Sequence, residues 1–202
     1  MRDTFICIAY AILVFLIVLE MTTSELDSHN NHDAVYCPKA QKILSAIVRG
    51  EKLTRVDLSD CGLTSIPDAV FQLGECLEFL NLGGNMISTL PDSMVVFQKL
   101  RILFFAQNKF THIPKVLGKL STLYMLSFKS NQLCMIDDAS LSPSICWLIL
   151  TDNDISELPS SIGKLTGLRK LMLAGNRITH LNEELQNCRV RVPLHLTTIC
   201  ST

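Results

Sequence analysis

Shifting the sequence against itself by 22 to 24 residues aligns six successive segments, beginning at Leu53, Leu77, Leu100, Leu123, Ile145 and Leu168. Each has the form L-x-x-L-x-L-x-x-N-x-L-x-x-L, as in LEFLNLGGNMISTL and LRKLMLAGNRITHL, and every leucine position is apolar in all six copies. The x-L-x-L-x portion has the period of a strand, so Leu80 and Leu82 are expected to point inward while Phe79 and Asn81 point outward. A single coil of this length cannot bury its own leucines. Stacked coils bury them against one another, and their short strands then join into a parallel sheet on the inner side of an arc.

The ninth position holds Asn85, Asn108, Asn131, Asn153 and Asn176, with Cys61 in the first copy. Where each strand ends, the chain must turn away from the sheet and strands backbone N–H and C=O groups in the interior. A carboxamide both donates and accepts, so a column of Asn satisfies neighbouring coils. Cys61 reads as a small buried group in the same column, structural rather than reactive.

These residues resemble the leucine-rich-repeat family over residues 53 to 188. The resemblance implies an α/β leucine-rich-repeat solenoid with a parallel concave β-sheet. Four copies continue with Ile66-Pro67, Leu90-Pro91, Ile113-Pro114 and Leu158-Pro159. Proline fixes an extended entry and cannot continue a helix, so the convex side is predicted to be short irregular or 3₁₀ turns. Asp137 and Asn182 depart from this pattern, and the fourth copy is one residue short. The L-P-x-x-I/L-x-x-L form is similar to the repeat of intracellular Ras-signalling scaffolds and their plant relatives. The stretches LRILFFAQNKF, CWLILTDNDISELPSSIGKL and LRKLMLAGNRI resemble repeat domains that precede kinase-like domains. No G-x-G-x-x-G, H-R-D or D-F-G occurs, so no catalytic residue is carried over and the chain is not expected to be an enzyme.

Residues 5 to 19 are uncharged and apolar behind Arg2, which reads as a secretory h-region. Residues 1–24 are accordingly expected to be a signal peptide or a signal-anchor, with the repeats secreted or held outside the cytosol. An artefact of gene prediction, with a cytoplasmic protein, is the alternative. Residues 25–37 read as a polar linker in which His29 and His32 are solvated. Residues 38–52 carry Ala40, Ile43, Leu44, Ile47 and Val48 at helical spacing between Pro38 and Gly50, which predicts an N-terminal capping helix. Residues 189–202 place Leu194 and Leu196 in strand-core register, but Pro193 and Ile199 break the pattern. A degenerate closing strand and an unrelated tail both remain open for that segment.

Eighteen Lys plus Arg oppose nineteen Asp plus Glu, so no large basic field is available for nucleic acid. The eight cysteines fall singly, without a C-x-x-C pair, which argues against a zinc site. They also lack the clustered caps common in secreted relatives, and no N-x-S/T sequon is present. No cofactor or metal is expected.

The leucine register also names the outward positions. The third positions are Arg55, Phe79, Ile102, Met125, Trp147 and Lys170; the fifth are Asp57, Asn81, Phe104, Ser127, Ile149 and Met172. At strand spacing, Phe79 to Trp147 should form an apolar stripe about 14 Å long. Ser59, Asp60, Gln107, Lys129, Ser130, Thr151 and Asp152 are expected to form a polar rim. The predicted partner surface is therefore Phe79, Asn81, Ile102, Phe104, Met125, Ser127, Lys129, Trp147, Ile149, Thr151, Lys170 and Met172, with Trp147 as anchor. Its expected occupant is a protein or peptide, with membrane contact only through an uncleaved N-terminal segment. Covering of the stripe by the linker, the tail or another domain is the competing reading. A regulatory repeat region of a kinase-like enzyme and a structural role in adhesion are the alternatives in function.

Overall fold

The computed structural model describes residues 36–180 and 183–188. The expected signal or anchor, most of the linker, and the tail at 189–202 lie outside the described residues. Helix α1 spans Pro38–Val48 and is capped at its start by Cys37, whose sulfur accepts from the Ala40 N–H at 3.4 Å. Ala40, Leu44 and Ile47 are buried by α1, whereas Val48 is 70% exposed. Val48 thus leaves the predicted apolar face: the helix ends there, and the chain turns through Arg49 and a left-handed Gly50 toward the first strand.

Six three-residue strands follow: β1 Arg55–Asp57, β2 Phe79–Asn81, β3 Ile102–Phe104, β4 Met125–Ser127, β5 Trp147–Ile149 and β6 Lys170–Met172. They form one parallel sheet in chain order. Pairing is residue for residue, so all the third positions lie in one row and all the fifth positions in another. The central residue of each strand and the apolar residue just after it face inward, giving two buried ladders from Val56 and Leu58 to Leu171 and Leu173.

The ladder continues past each strand because the eighth residue of every coil has a left-handed backbone. Asp60, Gln107, Ser130 and Asp152 have φ between 53° and 57°, and Gly84 and Gly175 occupy the same place in their coils. This turn aims the eighth N–H at the seventh carbonyl of the next coil, as in Asp60 to Gly83 at 2.9 Å and Gln107 to Lys129 at 2.8 Å. The rim residues expected at this position are therefore backbone hinges as well as polar surface, and glycine is the residue that meets a positive φ without Cβ strain.

On the outer side, short 3₁₀ helices span Asp68–Leu73, Asp92–Val96, Lys115–Lys119, Ser160–Lys164 and Glu183–Asn187. The first four start directly after Pro67, Pro91, Pro114 and Pro159 in extended backbone. The coil with Asp137 in place of proline has no 3₁₀ helix and is held instead by serines. Ser140 Oγ donates to Ile113 O at 2.7 Å, and Ser144 Oγ donates to Leu123 O at 2.8 Å.

Two features organise the interior. Phe105, Phe110 and Phe128 are fully buried, with ring centroids 5.0 to 5.1 Å apart. Beside them runs the Asn column. Asn131 Oδ1 accepts from Phe110 N at 3.1 Å, and its Nδ2 donates to Phe105 O at 2.8 Å and Phe128 O at 3.1 Å. Asn85, Asn108, Asn153 and Asn176 repeat this arrangement, each reaching back to the coil before its own. Cys61 receives no such duty, since α1 rather than a coil precedes it.

Candidate interaction surface

The outward rows are built by the alternation along each strand together with the residue-for-residue pairing between strands. The third-position row reads Arg55, Phe79, Ile102, Met125, Trp147, Lys170, and the fifth-position row reads Asp57, Asn81, Phe104, Ser127, Ile149, Met172. Phe79, Ile102, Met125 and Trp147 are half-buried. Phe104, Ile149 and Met172 are also half-buried, while Lys129 and Lys170 are exposed and Thr151 lies between.

Ser127 departs from expectation. It is only 6% exposed, a small side chain seated between Phe104 and Ile149 in its row, so its larger neighbours overshadow it. Ser127 forms the floor of the surface between these two larger side chains.

Charge closes both ends of the apolar row. The Arg55 guanidinium lies over the Phe79 ring at 4.0 Å, and the Lys170 ammonium over the Trp147 ring at 4.9 Å. Each cation gains from the ring's electron-rich face and keeps access to water. Phe79 additionally meets Phe104 edge-on, with centroids 5.7 Å apart. These pairings were not legible from spacing alone.

Beyond Arg55 the surface is tied to α1. Lys39 Nζ donates to Asp57 Oδ1 at 2.8 Å and to Ser59 Oγ at 2.9 Å, and Asn81 Nδ2 reaches the same carboxylate at 3.3 Å. Desolvation raises the Asp57 pKa, but the Lys39 hydrogen bond, the Ser59 N–H and hydroxyl, and the Lys39 charge outweigh it and hold the group at about 2. A depressed carboxyl contributes stability above its unfolded pKa of about 3.9, and that contribution is lost as pH falls through the folded value. Asp57→Asn is expected to flatten the acid limb: between about pH 4 and about 2, wild-type melting temperature should fall more steeply than the variant's. Parallel thermal scans check this, and superimposable slopes would remove Asp57 from the account.

The family comparison bears on this surface. A family model described as leucine rich repeat matches residues 51–109, the first coils of the sheet. The chain belongs to the leucine-rich-repeat family. Within that family it is 32% identical over 159 residues to the probable serine/threonine-protein kinase pats1 of Dictyostelium discoideum, covering 74% of this chain and 5% of that protein. It is 25% identical over 130 residues to the plant intracellular Ras-group-related LRR protein 8 of Oryza sativa subsp. japonica, covering 64% of this chain and 29% of that one. Among solved leucine-rich-repeat structures, the Drosophila Toll–Spatzle complex matches with a TM-score of 0.60 and 26% identity, over 65% of this chain and 20% of that one. This leucine-rich-repeat chain thus spans a small part of the relatives it matches. Its described residues contain no group of acidic, Cys or His side chains able to hold a metal ion. They also contain no helix long and apolar enough to cross a membrane.

Proposed function

We propose that this chain is a non-catalytic interaction module that binds a protein or peptide segment across the outward face of β1–β6. One observation carries the reading: four large apolar side chains aligned in register, with Arg55 and Lys170 stacked on the two end rings. A partner suited to it is an extended segment with an apolar centre and acidic residues on either side. Arg55 and Lys170 stand five strand spacings apart, about 24 Å, which about seven extended residues span. The balanced charge of the whole chain, 18 basic against 19 acidic residues, favours such a partner over nucleic acid. That the Toll match is a structure of a complex with Spatzle supports a protein partner by analogy.

Trp147→Ala is expected to weaken partner binding by about 2 kcal/mol or more, because a large half-buried aromatic is the strongest single anchor on the face. Affinity capture with wild type and variant as parallel baits, followed by calorimetric titration of what is captured, measures this. Equal retention by both baits would place the contact elsewhere.

A second reading has one observation in its favour. The match to a kinase from Dictyostelium covers only 5% of that protein, as expected if such repeats serve a larger enzyme as its regulatory region. Sequencing of the full transcript separates the two, since a continuing frame with kinase motifs would make the repeats regulatory. For location, the apolar residues 5–19 support a secretory or anchored protein with the repeats outside the cytosol, whereas the rice relative's name supports a cytoplasmic one. Fractionation of a carboxyl-terminally tagged chain decides.

A further inference from the structure

The fifth-position row opens on two polar side chains, Asp57 on β1 and Asn81 on β2, and beyond them offers only Phe104, the buried Ser127, Ile149 and Met172. The hydrogen bonds around the polar pair are lopsided. Asp57 Oδ1 accepts from Lys39 Nζ at 2.8 Å, Ser59 Oγ at 2.7 Å, Ser59 N at 3.0 Å and Asn81 Nδ2 at 3.3 Å. Every hydrogen bond that the described residues make to this carboxylate falls on that one oxygen, and Oδ2 takes none, although half of the side chain is exposed. Asn81 is held as firmly. Its Oδ1 accepts from Gly83 N at 3.0 Å while Nδ2 gives one hydrogen to Asp57. A backbone N–H can only donate and a carboxylate can only accept, so the carboxamide has one allowed orientation, and its second Nδ2 hydrogen has no partner among the described residues.

The sheet therefore presents one unused acceptor and one unused donor on neighbouring strands, about 4.8 Å apart. Despite desolvation, which raises it, the Lys39 and Ser59 hydrogen bonds hold the Asp57 pKa at about 2, so Oδ2 is an acceptor at neutral pH. Lys39 already offsets the charge of the carboxylate at 2.8 Å, which suits Oδ2 to a neutral N–H better than to a second cation. In an extended chain the N–H and C=O of one residue point to the same side, which is how paired residues of an antiparallel ladder exchange two bonds. A segment lying along the rows can meet both groups at once, provided its N–H lies over β1 and its C=O over β2.

We propose that Asp57 and Asn81 are a main-chain clamp that takes the N–H and C=O of one residue of the bound segment and fixes its direction, amino to carboxyl from β1 to β6. This rests on the reading of the face as a peptide-binding surface, and adds to it the kind of contact and the polarity. A reversed segment sets its carbonyl against the Asp57 carboxylate, acceptor on acceptor, and its N–H against the Asn81 donor. Side chains beyond the clamp are left to the apolar row.

The probe is a displayed library of linear peptides about seven residues long, with Glu at both ends and Leu, Ile, Val, Phe or Met between. It is selected on the full chain, and the winner is remade as a free peptide, acetylated and amidated. Its backbone nitrogens are then methylated in turn. One methylation near the amino end should weaken binding to the wild type about tenfold or more, as the loss of a hydrogen bond to a charged acceptor does. Asp57→Asn puts an amide donor where Oδ2 stood. It should bind the unmodified peptide about tenfold more weakly, and the same methylation should then cost nothing further. A nitroxide on the amino end of the peptide should broaden the amide resonances of Arg55–Asp57, and one on the carboxyl end those of Lys170–Met172. Binding that Trp147→Ala weakens, yet with an even methylation scan, unchanged affinity on Asp57→Asn or the opposite broadening, would overturn the clamp and leave the peptide-binding surface standing. A library without a member that prefers the wild type to Trp147→Ala removes both.

Discussion

Phe128→Ala should lower unfolding stability by about 3–5 kcal/mol, the largest loss expected from a single side chain in this molecule. Phe128 is fully buried, stacks on Phe105 at 5.1 Å and meets Phe110 edge-on at 5.0 Å. Truncation therefore removes a ring's worth of transfer energy and leaves two partners facing a void. The aromatic pairings add about 0.5–1.5 kcal/mol each beyond area burial. The surrounding coils cannot collapse readily, because their spacing is fixed by the parallel ladder on one side and the Asn column on the other. Urea denaturation reads the loss directly, and the Phe110→Ala double variant should cost less than the sum of the singles, since both remove the same pairing. A loss below about 1 kcal/mol would mean that the coils do relax into the gap.

Asn131→Ala should cost about 2–5 kcal/mol, through polarity rather than volume. Its carboxamide is the partner of Phe110 N, Phe105 O and Phe128 O, all inside the solenoid. Alanine orphans Phe110 N and Phe105 O, while Phe128 O keeps the Asn153 Nδ2 donor at 2.9 Å; each buried unsatisfied group costs about 1–3 kcal/mol. Asn131→Asp should fare no better, because a carboxylate presents a second acceptor to carbonyls that need a donor. Asn131→Cys should also fail, although Cys61 occupies the equivalent place in the first coil. There no preceding coil waits to be satisfied. Circular dichroism melts of the three variants decide the matter, and a tolerated cysteine at 131 would show that the column is less demanding than its geometry implies.

Much of this was legible in the chain itself. The strands, their register and the inward and outward sets follow from a period of two in the leucines, and the Asn column follows from the ninth position. These are properties of single positions that repeat. The features that escaped are properties of pairs. Whether Ser127 is reachable depends on the size of Phe104 and Ile149, and whether Val48 is covered depends on where α1 stops. The stacking of Arg55 on Phe79 and of Lys170 on Trp147 depends on which side chain stands one strand away. The left-handed turn at Asp60, Gln107, Ser130 and Asp152 had a visible signal in Gly84 and Gly175, which occupy the same place in their own coils.

The backward reach of the column makes the solenoid vectorial. Each coil's interior N–H donor is satisfied by the Asn of its successor, so a coil is finished only when the next has docked. During synthesis, which delivers the amino-terminal coils first, one unfinished edge travels along the growing chain and is handed forward with every repeat. Fraying in the folded protein should follow the same direction in reverse, with the last coil opening first and each opening exposing the donor that marks the next.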